Sequence, residues 1–106
     1  MNKILSFLFL LSSLVYSNEI SFYEIKDSDD QSSEISFLLD KVSFIKSYSL
    51  LDPSRIVIDV YQSDLKSDVE EKYNYPIKLV RASSKEDLTR IVIDLYEYVN
   101  WSKPTQ

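Results

Sequence analysis

Arg55-Ile56-Val57-Ile58-Asp59-Val60-Tyr61 returns 35 residues later as Arg90-Ile91-Val92-Ile93-Asp94-Leu95-Tyr96, with one conservative change. Six identities in seven positions argue against an accident of composition. Each copy is rich in Ile and Val and reads as a strand. In the first copy Ile56, Ile58 and Val60 share one face, and Arg55, Val57, Asp59 and Tyr61 share the other. Two copies are too few for a solenoid. The echo instead predicts two strands in equivalent environments of a two-sheet domain with pseudo-symmetry.

Outward from this pair, the chain continues as short strands between turns. Asp52-Pro53-Ser54 is a turn signal ahead of the first copy. Strands are expected over 20–25, 34–39, 42–50, 77–82 and 99–101, besides the two copies themselves. In Val42 to Leu50 the apolar groups Val42, Phe44, Tyr48 and Leu50 recur at a spacing of two, which predicts one buried face interrupted by Lys46. Residues 27–33 and 83–87 read as polar loops. Residues 62–75 are polar and acidic, with room for a helical turn near Asp68 to Lys72 or for none. Short strands, turn clusters and no long helical pattern predict an all-β fold, a small β-sandwich of two related sheets. No linker or second domain is visible.

The N-terminus carries a different signal. Lys3 supplies a positive charge, Ile4 to Val15 form an apolar run, and Val15-Tyr16-Ser17 places a small residue before a polar stretch. This is the pattern of an exported protein's signal peptide, with a cut expected after Ser17. The run is shorter than the roughly 20 residues that span a bilayer as a helix, which favours a cleaved leader over an anchor. The domain is then residues 18–106, and its contact with the membrane is limited to export. The expected location is the periplasm.

Composition removes several function classes. The net charge is −5, and the chain has no Cys, no His and no Gly. Losing Lys3 with the leader leaves 11 basic against 17 acidic side chains, or −6. An acidic domain without a basic cluster is poorly suited to nucleic acid or an anionic membrane surface. Without Cys there is no lipoprotein signal and no disulfide, so the fold rests on its apolar core. Without Gly there is no glycine-rich phosphate loop, and Asn, Asp or Ser must fill any positive-φ turn position.

Catalysis is not expected. A catalytic zinc site needs nitrogen, sulfur or carboxylate ligands, and here only carboxylates remain, with no cluster apparent. Ser has no His or Lys motif to activate it. Asp59 and Asp94 are conceivable as a glycosidase carboxylate pair, but about 90 residues leave little room for a cleft beside a core. The loop Asp27-Ser28-Asp29-Asp30 resembles the start of a Ca²⁺ loop but lacks the Gly at position six and the Glu at position twelve. No cofactor is expected.

The Arg and Asp of each copy are the binding candidates. Four residues apart on a strand they share a face, yet stand about 13 Å apart. Each must find a partner on a neighbouring strand or in a ligand. The first outcome is a ladder ion pair worth about 0–1 kcal/mol. The second is recognition of sugar hydroxyls or peptide carboxylates, which Arg can grip with two parallel hydrogen bonds. Most of the seven tyrosines beyond residue 17 read as ordinary strand residues. Tyr61 and Tyr96 stand apart, because they follow the repeated motif on its polar face.

Leu51-Asp52-Pro53-Ser54-Arg55-Ile56-Val57-Ile58-Asp59-Val60 resembles the central motif of the AMIN domain, a D-P-x-R stretch that runs into an apolar strand with an Asp. Ile77 to Arg81, followed by Thr89-Arg90-Ile91-Val92-Ile93-Asp94-Leu95, resembles that domain's second half. The resemblance covers about residues 34–101. It implies a non-catalytic targeting module of the cell envelope, of the kind found in cell-wall amidases and type IV pilus secretins. Its implied partner is peptidoglycan or an envelope protein complex, and its matching residues are Arg55, Asp59, Arg81, Arg90 and Asp94. The alternatives are a protein-interaction module docking a secretin or divisome component, or the remnant of a longer amidase or secretin.

Overall fold

The computed structural model describes residues 4–11, 18–27 and 32–106, and their regular structure is strand alone. The strands are β1 (Ile4–Leu11), β2 (Glu19–Asp27), β3 (Ser32–Leu39), β4 (Ile45–Leu50), β5 (Arg55–Tyr61), β6 (Asp64–Leu65), β7 (Val69–Lys72), β8 (Ile77–Lys85), β9 (Leu88–Leu95) and β10 (Asn100–Trp101). One sheet has the order β10-β1-β3-β2-β6, the other β4-β5-β9-β8-β7. The expected all-β sandwich is what forms. The two near-identical segments, however, are neighbours in one sheet rather than counterparts in two.

The core lies between the sheets. Ile56, Ile58 and Val60 from β5 and Ile91 and Ile93 from β9 are fully buried. They face Leu5, Phe7, Phe9, Ile20, Ile35, Phe37 and Leu39 from the other sheet, each no more than 1 % exposed. Phe9 stacks on Phe37 at 5.4 Å, and Phe22 meets Phe37 edge-on at 5.6 Å. Truncating a core Phe to Ala typically costs about 3–5 kcal/mol, a large share of a small domain's stability. A polar clip ties the sheets at one end. Ser63 Oγ donates to Thr89 Oγ1 at 2.8 Å, Thr89 and Ser84 share a bond of 2.6 Å, and Ser84 Oγ accepts from the Leu65 amide at 2.7 Å.

The apolar run read as the core of a leader is β1 in this folded chain. It lies between β3 and β10, parallel to both, and pairs with β3 from Ile4↔Ser32 to Leu11↔Leu39. Lys3, residues 12–17 with the expected cut after Ser17, and residues 28–31 of the acidic loop lie outside the described residues. No helix among the described residues is long and apolar enough to cross a membrane.

Three local expectations change. The face at Val42, Phe44, Tyr48 and Leu50 points outward: Val42 is 68 % and Phe44 71 % exposed. The register Ile45↔Val60 turns the odd positions of β4 toward the core and the even ones away. The segment Asp68 to Lys72 contains strand β7, paired with β8 from Val69↔Ala82 to Lys72↔Leu79, with Val69 packed on the core. Pairing and burial outweigh any helical preference of Glu70-Glu71. Positive φ falls on Asp52 (57°) and Asp87 (63°), as a Gly-free chain should arrange, but also on Gln62 (51°) and Glu86 (54°). Glu86-Asp87 closes the β8–β9 hairpin at Lys85↔Leu88, the geometry of a two-residue turn with both central φ positive.

Candidate functional site

The motif R-I-V-I-D is self-complementary when two copies run antiparallel. The register places Arg55 opposite Asp94, Ile56 opposite Ile93, Val57 opposite Val92, Ile58 opposite Ile91 and Asp59 opposite Arg90. Each Arg faces an Asp at both ends of the shared ladder, and the apolar residues meet like with like. The alternation of a strand then sends the two Ile of each copy into the core and the charged ends to the outer face. That is the physical content of the repeat.

The symmetry breaks in the side chains. Arg90 donates to Asp59 through Nε and Nη2 at 2.8 and 3.0 Å, a bidentate pair. The Asp59 side chain is 5 % exposed and that of Arg90 is 52 % exposed. Arg55 instead donates through Nη1 to the Pro53 carbonyl at 2.7 Å. Asp94 is taken by Arg81 on β8, through Nε at 2.7 Å and Nη2 at 3.1 Å. The hydrogen bond and then the charge of Asp59 hold the Arg90 guanidinium well above the ordinary arginine range. The hydrogen bond to Asp94 raises that of Arg81, against an opposing effect of burial.

The face therefore carries anions that are tucked in and cations that stand out. Each bidentate pair uses two of a guanidinium's five N–H donors and leaves the remaining donors of Arg81 and Arg90 toward solvent or a ligand. Val57 and Val92 lie between the two pairs in the ladder. A patch of this kind can grip carboxylates and hydroxyls. Among the described residues no group of three His, Cys, Asp or Glu side chains is placed to hold a metal.

Of the sequence-predicted residues, Arg55, Asp59, Arg81, Arg90, Asp94 and Tyr61 are brought to this one face. Tyr61 ends β5 beside the Arg90 pair and meets the exposed Phe44 ring at 5.3 Å. Tyr96 does not join it there. It follows the end of β9 at the opposite end of the face, stacked on Tyr75 at 6.3 Å, with Lys78 Nζ 5.8 Å from its ring. The two tyrosines therefore do not form one platform. Lys72, Tyr73, Lys78, Leu79 and Tyr96 line a shallow hollow of about 310 Å³ beside Tyr96. Sequence reasoning missed Phe44, Tyr75 and Lys78. Phe44 was hidden by its apparent place on a buried face, and Tyr75 and Lys78 lie in stretches with no motif of their own.

Fold and face together define a small β-sandwich whose paired R-I-V-I-D strands turn an ion-paired, tyrosine-flanked surface outward. The chain belongs to the AMIN domain family, whose family model matches residues 23–106. The match starts within β2 and leaves β1 outside it. No curated protein and no solved structure matches the chain.

Proposed function

We propose that this chain is a non-catalytic localisation domain of the periplasm, exported by a leader that is cut after Ser17, and that it associates with peptidoglycan. Membership of the AMIN family, a class of envelope-targeting domains, supports the role. The observation that carries the binding reading is the outward display of the Arg81 and Arg90 guanidinium groups, 45 % and 52 % exposed, over carboxylates that are 18 % and 5 % exposed. On a chain of net charge −5, such a display offers guanidinium N–H donors locally without bulk attraction to a polyanion. The stem-peptide carboxylates and sugar hydroxyls of peptidoglycan suit it. Arg55 and Tyr61 border the same ligand, while Tyr96, at the opposite end of the face, would meet only a ligand long enough to reach it. The test is co-sedimentation of the mature protein with purified sacculi, which this reading predicts and which free protein in the pellet control must not imitate.

A second reading rests on another observation. Val42, Phe44 and Leu51 are 68 %, 71 % and 64 % exposed beside the edge strand β4, with Leu50 at 38 %. An apolar margin on an open edge suits a protein partner, such as a secretin or divisome component. Cross-linking in envelope extracts separates the readings: a single protein adduct without sacculus binding favours this one. A downstream reading frame encoding an amidase or secretin would make the chain a remnant of a longer protein.

A further inference from the structure

Strand β1 sits in the sheet as a separable insert. It lies outside the span that the family model matches, which starts at residue 23. Its neighbours nevertheless grip it along its whole length. Eight residues pair with β3, and on the other side Ser102 N donates to Leu5 O at 2.8 Å, Thr105 N to Phe7 O at 3.0 Å and Phe9 N to Thr105 O at 2.9 Å. Leu5, Phe7 and Phe9 fill the core at alternate positions, while Ser6, Leu8 and Leu10 remain half-buried.

We propose that the gap between β3 and β10 is a donor-strand site. Once the leader is gone, it receives a strand from a partner protein: eight residues, uncharged, with Leu- or Phe-sized side chains at three alternate positions, running parallel to β3. This rests on the leader cleavage in the functional reading above. Removal of residues 1–17 takes away Leu5, Phe7 and Phe9 together. It leaves the β3 edge unpaired opposite a trough floored by Phe37 and walled by Trp101, whose ring lies 6.3 Å from that of Phe7. An apolar open edge inside a sheet pairs with any strand that fits. Main-chain bonds then supply affinity and the alternate pockets supply selectivity. A second processed copy is a poor donor, because its described strands already belong to its own sheets. The partner is therefore a different polypeptide with a free alternating apolar segment.

The experiment begins with protein purified from the envelope, whose N-terminus is read by mass spectrometry. The probe is a peptide of sequence Ile-Leu-Ser-Phe-Leu-Phe-Leu-Leu with a lysine tail for solubility. The control peptide carries Phe7→Asp and Phe9→Asp. Trp101, the one tryptophan of the chain, reports binding through its emission. A chain that begins at Asn18 and takes up the probe saturably at one to one, with the control weaker by about 100-fold or more, supports the site. A folded chain that begins at Asn18 and binds neither peptide overturns the donor-strand proposal and leaves the localisation reading standing. A chain that still begins at Met1 overturns the leader cleavage, and the donor site with it.

Discussion

Asp59 stands directly opposite Arg90 in the β5–β9 ladder, and its nearly buried carboxylate accepts both Nε and Nη2 of that residue. The pair is asymmetric in exposure, and that decides its energetics. Losing an exposed ion pair costs about 0–1 kcal/mol. Losing the bidentate donor to a buried carboxylate costs more, because the anion stays desolvated. Arg90→Ala is expected to destabilise the fold by about 1–3 kcal/mol in urea unfolding. Arg90→Ala combined with Asp59→Val should recover more than half of that loss.

Arg81 and Asp94 make the contrasting case. Both side chains are more open to water, at 45 % and 18 % exposure. Arg81→Ala should cost about 0–1 kcal/mol by the same measurement. A loss equal to that of Arg90→Ala would contradict the role given to burial.

Glu86 and Asp87 hold positive φ without a glycine. Each non-Gly residue in the left-handed region carries a cost of about 1–2 kcal/mol, less for Asp and Asn. Replacing the pair by Asn-Gly should therefore stabilise the protein by about 1 kcal/mol. A differential scan of the melting temperature checks the sign.

Tyr73 donates its hydroxyl to Glu71 Oε2 at 3.0 Å. Burial, and then the Glu71 carboxylate, push its pKa from the ordinary 10.0 up to about 12. The neutral phenol is the form that the fold prefers. Its contribution is complete below the unfolded value of 10.0 and is lost as pH rises through about 12. An absorbance titration at alkaline pH should show a late-titrating tyrosine that Tyr73→Phe removes.

Phe9 tests whether β1 belongs to the native fold of the full-length chain. Phe9→Ala should cost about 3–5 kcal/mol in the unprocessed protein, because the ring is buried against Phe37. An unchanged denaturant midpoint would show that β1 does not occupy its slot in solution.

The repeated segments were legible because a strand with Ile at alternate positions and charges at both ends has one sensible orientation. Their pairing with each other was less so. Register depends on which neighbour the chain meets, and the self-complementarity of R-I-V-I-D becomes visible only when the two copies are laid antiparallel. The Arg81–Asp94 pair was hidden for the same reason, since it runs diagonally between strands β8 and β9, where Arg81 stands opposite Val92 and Asp94 opposite Leu79. Val42 and Phe44 misled because a spacing of two identifies a face without saying which way it looks. Strand β1 was masked by composition: alternating Leu and Phe in an uncharged run satisfies both a leader and a buried strand. The Tyr96–Tyr75 stack was invisible because its rings come from separate stretches after different strands.

The central claim is that the charged face of the β5–β9 pair holds the cell wall. The most direct measurement is sacculus co-sedimentation of a folded variant that keeps the Asp59 counter-ion but loses the planar forks, Arg55→Ala with Arg90→Lys. Binding weaker by about tenfold or more, in a variant that still unfolds in one cooperative transition, is the predicted result. Undiminished binding by that folded variant would contradict the account.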